Sequence, residues 1–136
     1  RVRGWIVFRP SSCRFADMNL LGLRTTIYPT DDLATSVAQF KELLGMDPYF
    51  DQPFYAGFNV GGYELGLDPD SDPADGAHSY WGVEDAAAAG SELIAFGATV
   101  VDPVREVGDG IKTGSFRLPD GALFCVIENP HFELPA

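Results

Sequence analysis

The turn signals of this chain constrain its fold more than any other feature, because they occur twice in the same order. In each half a glycine follows a predicted helix, at Gly45 and at Gly97, and a glycine turn comes later, at Gly62 and at Gly121. Glycine adopts the left-handed conformation that ends a helix, and it supplies the positive φ that two-residue hairpins need. One unit of strand, helix and three strands, used twice, explains this order.

The first unit is predicted over about residues 20–70. A segment rich in β-branched and aromatic residues, Leu23–Pro29, predicts a strand. Apolar residues then recur at helical spacing, and Thr30 or Asp31 offers a side-chain oxygen for the helix N-cap. The rest of the unit predicts three short strands, which are Pro48–Asp51, Phe54–Val60 and Tyr63–Asp68.

The second unit is predicted over about residues 76–132 and repeats this order. Its elements are a strand at Ser79–Val83, an alanine-rich helix at Glu84–Phe96, and strands at Ala98–Val101, Lys112–Leu118 and Ala122–Glu128. Because each sheet has one face covered by its own helix, the other faces are expected to line a shared cleft. The predicted fold class is therefore α+β, with two βαβββ modules forming a curved mixed sheet around a cleft. The stretch Gly108–Lys112 fits either a lid loop or a plain hairpin turn.

Residues 1–17 differ in charge from the rest of the chain. They contain four arginines and one aspartate, a net charge of +3, whereas the whole chain carries −11, so residues 18–136 carry −14. A shift of this kind predicts a boundary. We interpret residues 1–17 as a leader or expression-derived extension, with an added strand or arm as the alternative, and residues 18–136 as one domain.

The strong negative charge limits the partners of this protein. Twenty acidic residues outnumber nine basic ones, and such a field repels nucleic-acid phosphates and anionic lipid, while it favours cationic ligands. The sequence also has no run of about 18 apolar residues, so no membrane partner is predicted. Cys13 and Cys125 lie far apart without metal-ribbon spacing, which fits a reducing compartment. The predicted partner is a small molecule, and the predicted location is cytoplasmic.

Three segments carry a resemblance to a known family, and their letters are TTIYPTDDLATSVAQFKELLGM, SYWGVEDAAAAGSELIAFGA and LPDGALFCVIENP. Their order and spacing, over about residues 20–130, resemble the first strand and helix, the fifth strand and helix, and the last hairpin of the glyoxalase/bleomycin-resistance (vicinal oxygen chelate) superfamily. The resemblance implies a homodimer. It also implies one divalent metal ion (Zn, Ni, Mn or Fe) held by His, Gln or Glu from both modules, or no cofactor where that site is degenerate.

Carried over from the resemblance, the metal positions of the first module are partly matched. The first-strand position falls on Thr25, or on Thr26 if the register shifts by one residue, and a threonine hydroxyl is a poor ligand for a catalytic divalent ion. The fourth-strand position falls on Glu64, or on Gly66 by the hairpin count. Glu64 is the candidate metal ligand and the candidate catalytic carboxylate. Its alternative role is a solvent-facing carboxylate at a sheet edge.

The metal positions of the second module fall on His78 and Cys125, which are candidate metal ligands together with Glu64. As a thiolate, Cys125 is a ligand for zinc, and three ligands plus water make an open catalytic site. A free cysteine on a strand is more often a small buried apolar residue, and we favour that interpretation. His78 follows a loop, where a solvated histidine needs no further role.

Aromatic residues form the second group of candidates. Tyr55, Tyr80 and Trp81 are predicted to line the cleft, since Tyr and Trp combine contact area with a polar group. Phe58 and Phe116 are assigned to the core, although Phe58 is also kept as a candidate ligand-binding residue. Aromatic walls favour flat or cationic ligands through stacking and cation–π contact.

Two functions from different classes follow from these residues. The favoured one is a small-molecule-binding domain with a degenerate or absent metal site, which sequesters or processes a small aromatic or cationic compound. The alternative is a divalent-metal-dependent lyase, isomerase or dioxygenase, in which the metal polarises a carbonyl group and a carboxylate moves the proton.

Overall fold

The computed structural model describes residues 19–135, so the predicted extension at residues 1–17 lies outside them. The first module consists of β1 (Gly22–Pro29), α1 (Leu33–Leu44), β2 (Phe50–Gln52), β3 (Tyr55–Val60) and β4 (Tyr63–Asp68). A single 3-10 turn at Pro73–Asp75 leads to the second module. This module consists of β5 (His78–Gly82), α2 (Ala86–Phe96), β6 (Thr99–Gly108), β7 (Ile111–Arg117) and β8 (Leu123–Glu128). The predicted order of two βαβββ modules is confirmed.

An aspartate begins each helix and a glycine ends it. The Asp32 carboxylate accepts a hydrogen bond from the backbone N–H three residues further on at 3.1 Å, and Asp85 does the same for α2 at 3.0 Å. Gly45 and Gly97 follow the last helical turns with φ of 68° and 117°. Both ends thus satisfy the free backbone groups of a short helix.

The N-cap of α1 lies later than predicted. The sequence predicts the cap at Thr30 or Asp31, whereas the structure places it at Asp32. Thr30 has another role, because its hydroxyl accepts a hydrogen bond from the Asp32 backbone N–H at 3.1 Å. It therefore shapes the turn that leads into the helix rather than capping it.

One eight-stranded sheet contains both modules, in the order β2-β3-β4-β1-β5-β8-β7-β6. The modules join at the antiparallel pair β1–β5, and each module also contributes a parallel pair, β1–β4 or β5–β8. Strands β2 and β6 form the two ends, so the sheet does not close into a barrel. The α+β fold with a mixed sheet is confirmed.

Both helices cover the same face of the sheet. In the first module Phe58 and Leu67 are fully buried against Val37 and Phe40 of α1. In the second module the buried side chains on and around α2 form an equivalent cluster, which includes Val83, Ala86, Ala89, Leu93, Ala98, Phe116 and Val126. The opposite face, which we call the open face, carries the residues that alternate with these along each strand.

Strand β6 is longer than predicted, and the turn after it resolves the two interpretations of Gly108–Lys112. The strand runs to Gly108 despite Pro103, because an edge strand with register irregularities tolerates proline. Asp109 and Gly110 then take positive φ of 55° and 78°, and β7 begins at the next residue. This segment is a hairpin turn rather than a lid. Neither helix of residues 19–135 is long and apolar enough to cross a membrane.

Candidate functional site

A single row of side chains crosses the open face where the two modules meet. The strand register places Glu64 of β4 opposite Thr25 of β1, and Thr25 opposite Tyr80 of β5. Tyr80 in turn lies opposite Cys125 of β8, and Cys125 opposite Ser115 of β7. Paired residues of neighbouring strands point to the same face of a sheet. We call this set the central row.

His78 lies one step away from the central row. It is paired with Ile27, and its Nδ1 donates a hydrogen bond to the Gly76 carbonyl at 3.0 Å. Its ring centroid lies 6.3 Å from that of Tyr80, which occupies the fifth-strand place in the row. Within residues 19–135 no three His, Cys, Asp or Glu side chains are grouped to hold a metal ion, so His78, Glu64 and Cys125 do not form a ligand set.

Glu64 is a half-buried carboxylate that accepts hydrogen bonds from hydroxyl groups. The Thr25 hydroxyl donates to Oε1 at 3.0 Å, and the Tyr49 hydroxyl donates to Oε2. Tyr55 also directs its hydroxyl toward the same carboxylate. Glu64 lies on an inner strand and not at a sheet edge, and neighbouring side chains contact both of its oxygens.

Two paired glycines make room for these tyrosines. Gly57 of β3 lies opposite Gly66 of β4 on the open face. A Cβ on Gly57 would lie 2.5 Å from Glu64 Oε2 and 3.0 Å from Tyr49 Cε1, and a Cβ on Gly66 would clash with the Tyr55 hydroxyl. Glycine within a strand is typical of close approach by another group. Here that group is a pair of tyrosines around one carboxylate.

Both of these tyrosines are strongly held in the protonated form. Partial desolvation of its hydroxyl raises the pKa of Tyr49, although the residue as a whole is exposed, and so do its hydrogen bond to Glu64 and the charge of that carboxylate. Burial also raises the pKa of Tyr55, with the Glu64 charge as the second cause. At neutral pH both phenols are therefore hydrogen-bond donors rather than bases.

Cys125 occupies the place in the second module that corresponds to Glu64 in the first, but it is a buried, uncharged thiol. Its side chain is fully buried, and burial raises the pKa of the thiol to about 12. The Tyr80 hydroxyl lies within hydrogen-bonding reach of the sulfur, and burial is also the main cause that raises the pKa of Tyr80. The thiol is therefore protonated and shielded at neutral pH.

An ion pair occupies the far side of the second module. The Arg117 guanidinium donates to the Asp75 carboxylate at 2.7 Å, and it also contacts the Gly121 carbonyl at 3.3 Å. The hydrogen bond from Arg117 lowers the pKa of Asp75. The pair ties the 3-10 turn to β7 and neutralises the positive charge of Arg117.

The structure divides the predicted aromatic residues between the two faces of the sheet. Tyr55 and Tyr80 lie on the open face, as expected for cleft-lining residues. Trp81 lies on the helix-covered face, stacked on Phe124 with ring centroids 6.2 Å apart, because it is the residue next to Tyr80 in the strand. Phe58 is fully buried under α1, so it belongs to the core and not to the open face.

A divalent metal does not fit the side chains of the central row. Thr25 and Tyr80 offer neutral hydroxyl groups, which are weak ligands for catalytic divalent ions. Cys125 offers a fully buried thiol, whose sulfur is shielded from an ion on the open face. Glu64 is the one carboxylate among these residues, and hydroxyl groups occupy both of its oxygens.

A cavity of about 370 Å³ opens beside Glu64, lined by Leu23, Arg24, Thr25, Thr26, Tyr63 and Glu64. A β-bulge in β1 redirects Arg24, whose guanidinium lies 3.8 Å from the centroid of the Phe132 ring. A larger groove of about 650 Å³ runs between α1 and residues 51–53, on the helix-covered side, and contains none of the predicted site residues.

Solved structures with a similar fold come from several proteins. Streptomyces coelicolor methylmalonyl-CoA epimerase, in complex with 2-nitronate-propionyl-CoA, is 17% identical over 86% of this chain and 100% of its own, with a TM-score of 0.67. A Vibrio splendidus 12B01 member of the glyoxalase/bleomycin resistance protein/dioxygenase superfamily is 18% identical over 81% and 98%, with a TM-score of 0.60. The Legionella pneumophila structure described as NAD-dependent benzaldehyde dehydrogenase is 19% identical over 76% and 96%, also with a TM-score of 0.60. At these identities the likeness shows the fold alone.

The family itself is shown by the sequence. No curated protein matches the chain. The sequence pattern of the Glyoxalase/Bleomycin resistance protein/Dioxygenase superfamily matches residues 22–126, which covers every strand and helix from β1 to most of β8. This match agrees with the paired modules and with the central row between them. The chain belongs to the glyoxalase/bleomycin resistance protein/dioxygenase superfamily.

Proposed function

We propose that this protein is a small-molecule-binding domain that sequesters an organic cation or a small aromatic compound on its open face without a metal ion. The observation that carries this proposal is the environment of Glu64. Its half-buried carboxylate accepts hydrogen bonds from Thr25 and Tyr49 and lies beside the Tyr55 hydroxyl. Glu64 also lines the cavity of about 370 Å³, together with Thr25 and Tyr63. A carboxylate among aromatic rings is a receptor for a positively charged group.

The composition of the central row supports binding rather than metal-assisted catalysis. A catalytic metal site needs several ionised or imidazole ligands that converge on one point. The row instead presents three hydroxyl groups, a buried protonated thiol and one carboxylate that already accepts two hydrogen bonds. The side chains at the positions that the resemblance assigns to metal ligands thus favour contact with an organic molecule.

The charge of the whole domain supports a cationic ligand. Residues 18–136 carry a net charge of −14. A field of this sign raises the local concentration of cations and speeds their association, and it opposes anionic compounds. This effect weakens as salt is added, because exposed charges are screened beyond about 8–10 Å at physiological ionic strength.

The proposal predicts cation binding that does not depend on metal. We would titrate the protein, in the presence of a chelator, with a panel of cationic aromatic compounds and their neutral counterparts of similar shape, by calorimetry. At least one cationic member is expected to bind with the same Kd after chelation as after addition of zinc, nickel, manganese or iron. Binding that appears only with a metal, or no binding across the panel, would contradict the proposed function.

A matched pair of variants locates the binding site. Glu64→Gln removes the carboxylate charge from the open face, and it is expected to weaken cation binding by roughly tenfold or more. Glu42→Gln makes the same chemical change on the exposed surface of α1 and controls for the loss of one overall charge. Equal loss in the two variants would mean that the ligand responds to net charge and not to Glu64.

The assembly and location of the protein belong to the same proposal. A homodimer in the cytoplasm is the arrangement we propose, since a second copy is a common way to complete the clefts of this family. Light scattering after size-exclusion chromatography tests the dimer. A monomer at concentrations where the ligand binds would contradict it, and each open face would then act alone.

A further inference from the structure

The two oxygens of Glu64 are held in different ways. Oε1 accepts from Thr25, which is 7% exposed and lies within β1, so this hydrogen bond is part of the sheet. Oε2 accepts from Tyr49, which is 63% exposed. A buried donor stays in place when a ligand arrives, whereas an exposed donor is exchangeable with it. We propose that the ligand is an ammonium compound with at least one N–H, and that it binds Oε2 by displacing the Tyr49 hydroxyl; this rests on the function proposed above.

The Tyr49 side chain can move away from Glu64 while the backbone beside the sheet stays in place. Its backbone N–H donates to the Gly57 carbonyl at 2.9 Å, which fixes the backbone beside β3. Its ring rests on Gly57, where the missing Cβ leaves a flat surface. A rotation of the side chain alone therefore removes the hydroxyl from Oε2, and exposed side chains make such rotations within nanoseconds.

Glu64 lacks a cationic partner within residues 19–135. Arg24 lines the same cavity, but its guanidinium lies over the Phe132 ring and donates to its neighbour's carbonyl at 3.1 Å. The ion pairs of the described residues lie elsewhere, at Lys41–Asp47, Arg117–Asp75 and His131–Asp109. A charged N–H donor forms a hydrogen bond roughly twice as strong as a neutral hydroxyl does. An ammonium group therefore competes well with Tyr49 for Oε2.

This arrangement selects among cations. A primary or secondary ammonium donates an N–H to Oε2 and keeps its organic part against the ring of Tyr55, which stays beside Glu64. A quaternary ammonium carries the charge but no N–H, so it cannot replace the hydrogen bond that Tyr49 gives up. A neutral alcohol has the donor but not the charge. The ligand class is thus an aryl- or alkyl-ammonium with a free N–H.

Three probes of similar shape test the inference, namely benzylammonium, benzyltrimethylammonium and benzyl alcohol. Each is titrated into the wild type, Tyr49→Phe and Glu64→Gln by NMR, with the tyrosine ring signals as the readout of position. Tyr28→Phe removes a hydroxyl from the helix-covered side, where the ring packs on Phe40, and serves as the control. Circular dichroism establishes that each variant is folded.

Tyr49→Phe is expected to lower the Kd of benzylammonium roughly three- to tenfold, because the ligand no longer competes with the phenol for Oε2. The Kd of benzyltrimethylammonium is expected to stay unchanged in this variant, and Tyr28→Phe is expected to behave as wild type. Glu64→Gln is expected to weaken benzylammonium roughly tenfold or more. Ring signals of Tyr49 should shift most with benzylammonium.

Several results would overturn the inference. Unchanged or weaker benzylammonium binding to Tyr49→Phe would show that the phenol is not displaced. Equal affinity for benzylammonium and benzyltrimethylammonium would show that the N–H is not recognised. If benzylammonium fails to bind while other members of the aromatic panel bind without metal, the inference is wrong and the proposed function stands. If no member of the panel binds, the proposed function is wrong as well.

Discussion

The two modules share one architecture but present different chemistry at corresponding positions. In the first module β4 places Glu64 beside Thr25 of β1, and in the second module β8 places Cys125 beside Tyr80 of β5. Glu64 is half-buried and hydrogen-bonded at both oxygens, whereas Cys125 is fully buried and protonated. The sheet therefore fixes where the side chains lie, and their identity decides what each half of the open face can bind.

The difference extends to the groups around each position. Around Glu64 the strands carry Gly57 and Gly66, which leave space for tyrosines that approach from outside the strands. Around Cys125 the paired residues are Tyr80 and Ser115, and the Ser115 hydroxyl donates to the Asp102 carboxylate at 3.3 Å. Arg117 is neutralised by Asp75. At this position the first module thus presents a hydrogen-bonded carboxylate and the second presents a buried thiol. The carboxylate of the second module, Asp102, lies two strands away in the same row of paired residues.

The largest effect is expected where the modules are alike, which is in their cores. Phe58 and Phe116 are each about 1% exposed or less and pack under α1 and α2 respectively. Truncation of either to alanine leaves a cavity in a packed core, so each is expected to lower the free energy of unfolding by about 3–5 kcal/mol. Urea denaturation followed by circular dichroism measures the loss.

Leu43→Ala provides the control for the core truncations, because this side chain is 71% exposed and should change stability by no more than about 0.5 kcal/mol. Comparable losses for Phe58→Ala and Phe116→Ala would mean that the two modules contribute equally to a common fold. A large loss in one module with almost none in the other would contradict their structural equivalence.

Local signals explain why the fold could be predicted from the sequence. Gly45, Gly97 and the hairpin glycines mark the ends of elements through backbone conformation, which depends on nearby residues alone. The strand Tyr63–Asp68 has the predicted bounds. Strand β6 continues beyond the predicted Val101, because its extension depends on pairing with β7. In the sequence alone, Pro103 indicates the end of a strand, so this extension was not predicted.

The candidate site was harder to predict, because it depends on which face each strand turns toward and on contacts across the sheet. Trp81 and Tyr80 are neighbours in sequence, and the strand register alone decides that Tyr80 reaches the open face. Tyr49 is missing from the predicted site, since its bond to Glu64 joins residues from different elements. Gly57 and Gly66, each within a predicted strand, were the available signals of that close approach.

An effect of intermediate size is expected at alkaline pH, where the second module should respond through Cys125. The folded-state pKa of this thiol is about 12, against 9.0 as its ordinary value. The unfolded state therefore loses the proton first, so the contribution of the buried thiol is complete below pH 9 and is lost as pH rises toward 12. At pH 10 the loss of unfolding free energy caused by this thiol is about 1 kcal/mol.

Cys125→Ala tests this contribution by comparison of two pH values. The variant is expected to lose less stability than wild type between pH 8 and pH 10, whatever its stability at pH 8. Tyr49 and Tyr55 also lower stability as pH rises, but they do so equally in both proteins and cancel in the comparison. Tyr80 does not cancel, because Cys125 contributes to its raised pKa, so the measured difference belongs to the Cys125–Tyr80 pair. An identical slope in the two proteins would mean that the thiol is accessible when folded, which would remove the contrast with Glu64.

The smallest effect is expected at the ion pair of Asp75 and Arg117, which distinguishes the second module but lies near solvent. The hydrogen bond from Arg117 lowers the pKa of Asp75 below its ordinary 3.8, so the contribution of the pair is present above pH 3.8 and is lost as pH falls through the lower folded-state value. Asp75→Asn should therefore cause a small loss of stability at pH 7 and a flatter decline of stability in acid. Thermal unfolding between pH 2 and pH 7 measures the loss of stability and its dependence on pH.

Asp47→Asn is the control, since its partner Lys41 lies 3.2 Å away and both side chains are at least half exposed. If Asp75→Asn lost as much unfolding free energy as Phe116→Ala, the ion pair would stabilise the second module as strongly as its buried packing does, which contradicts this prediction.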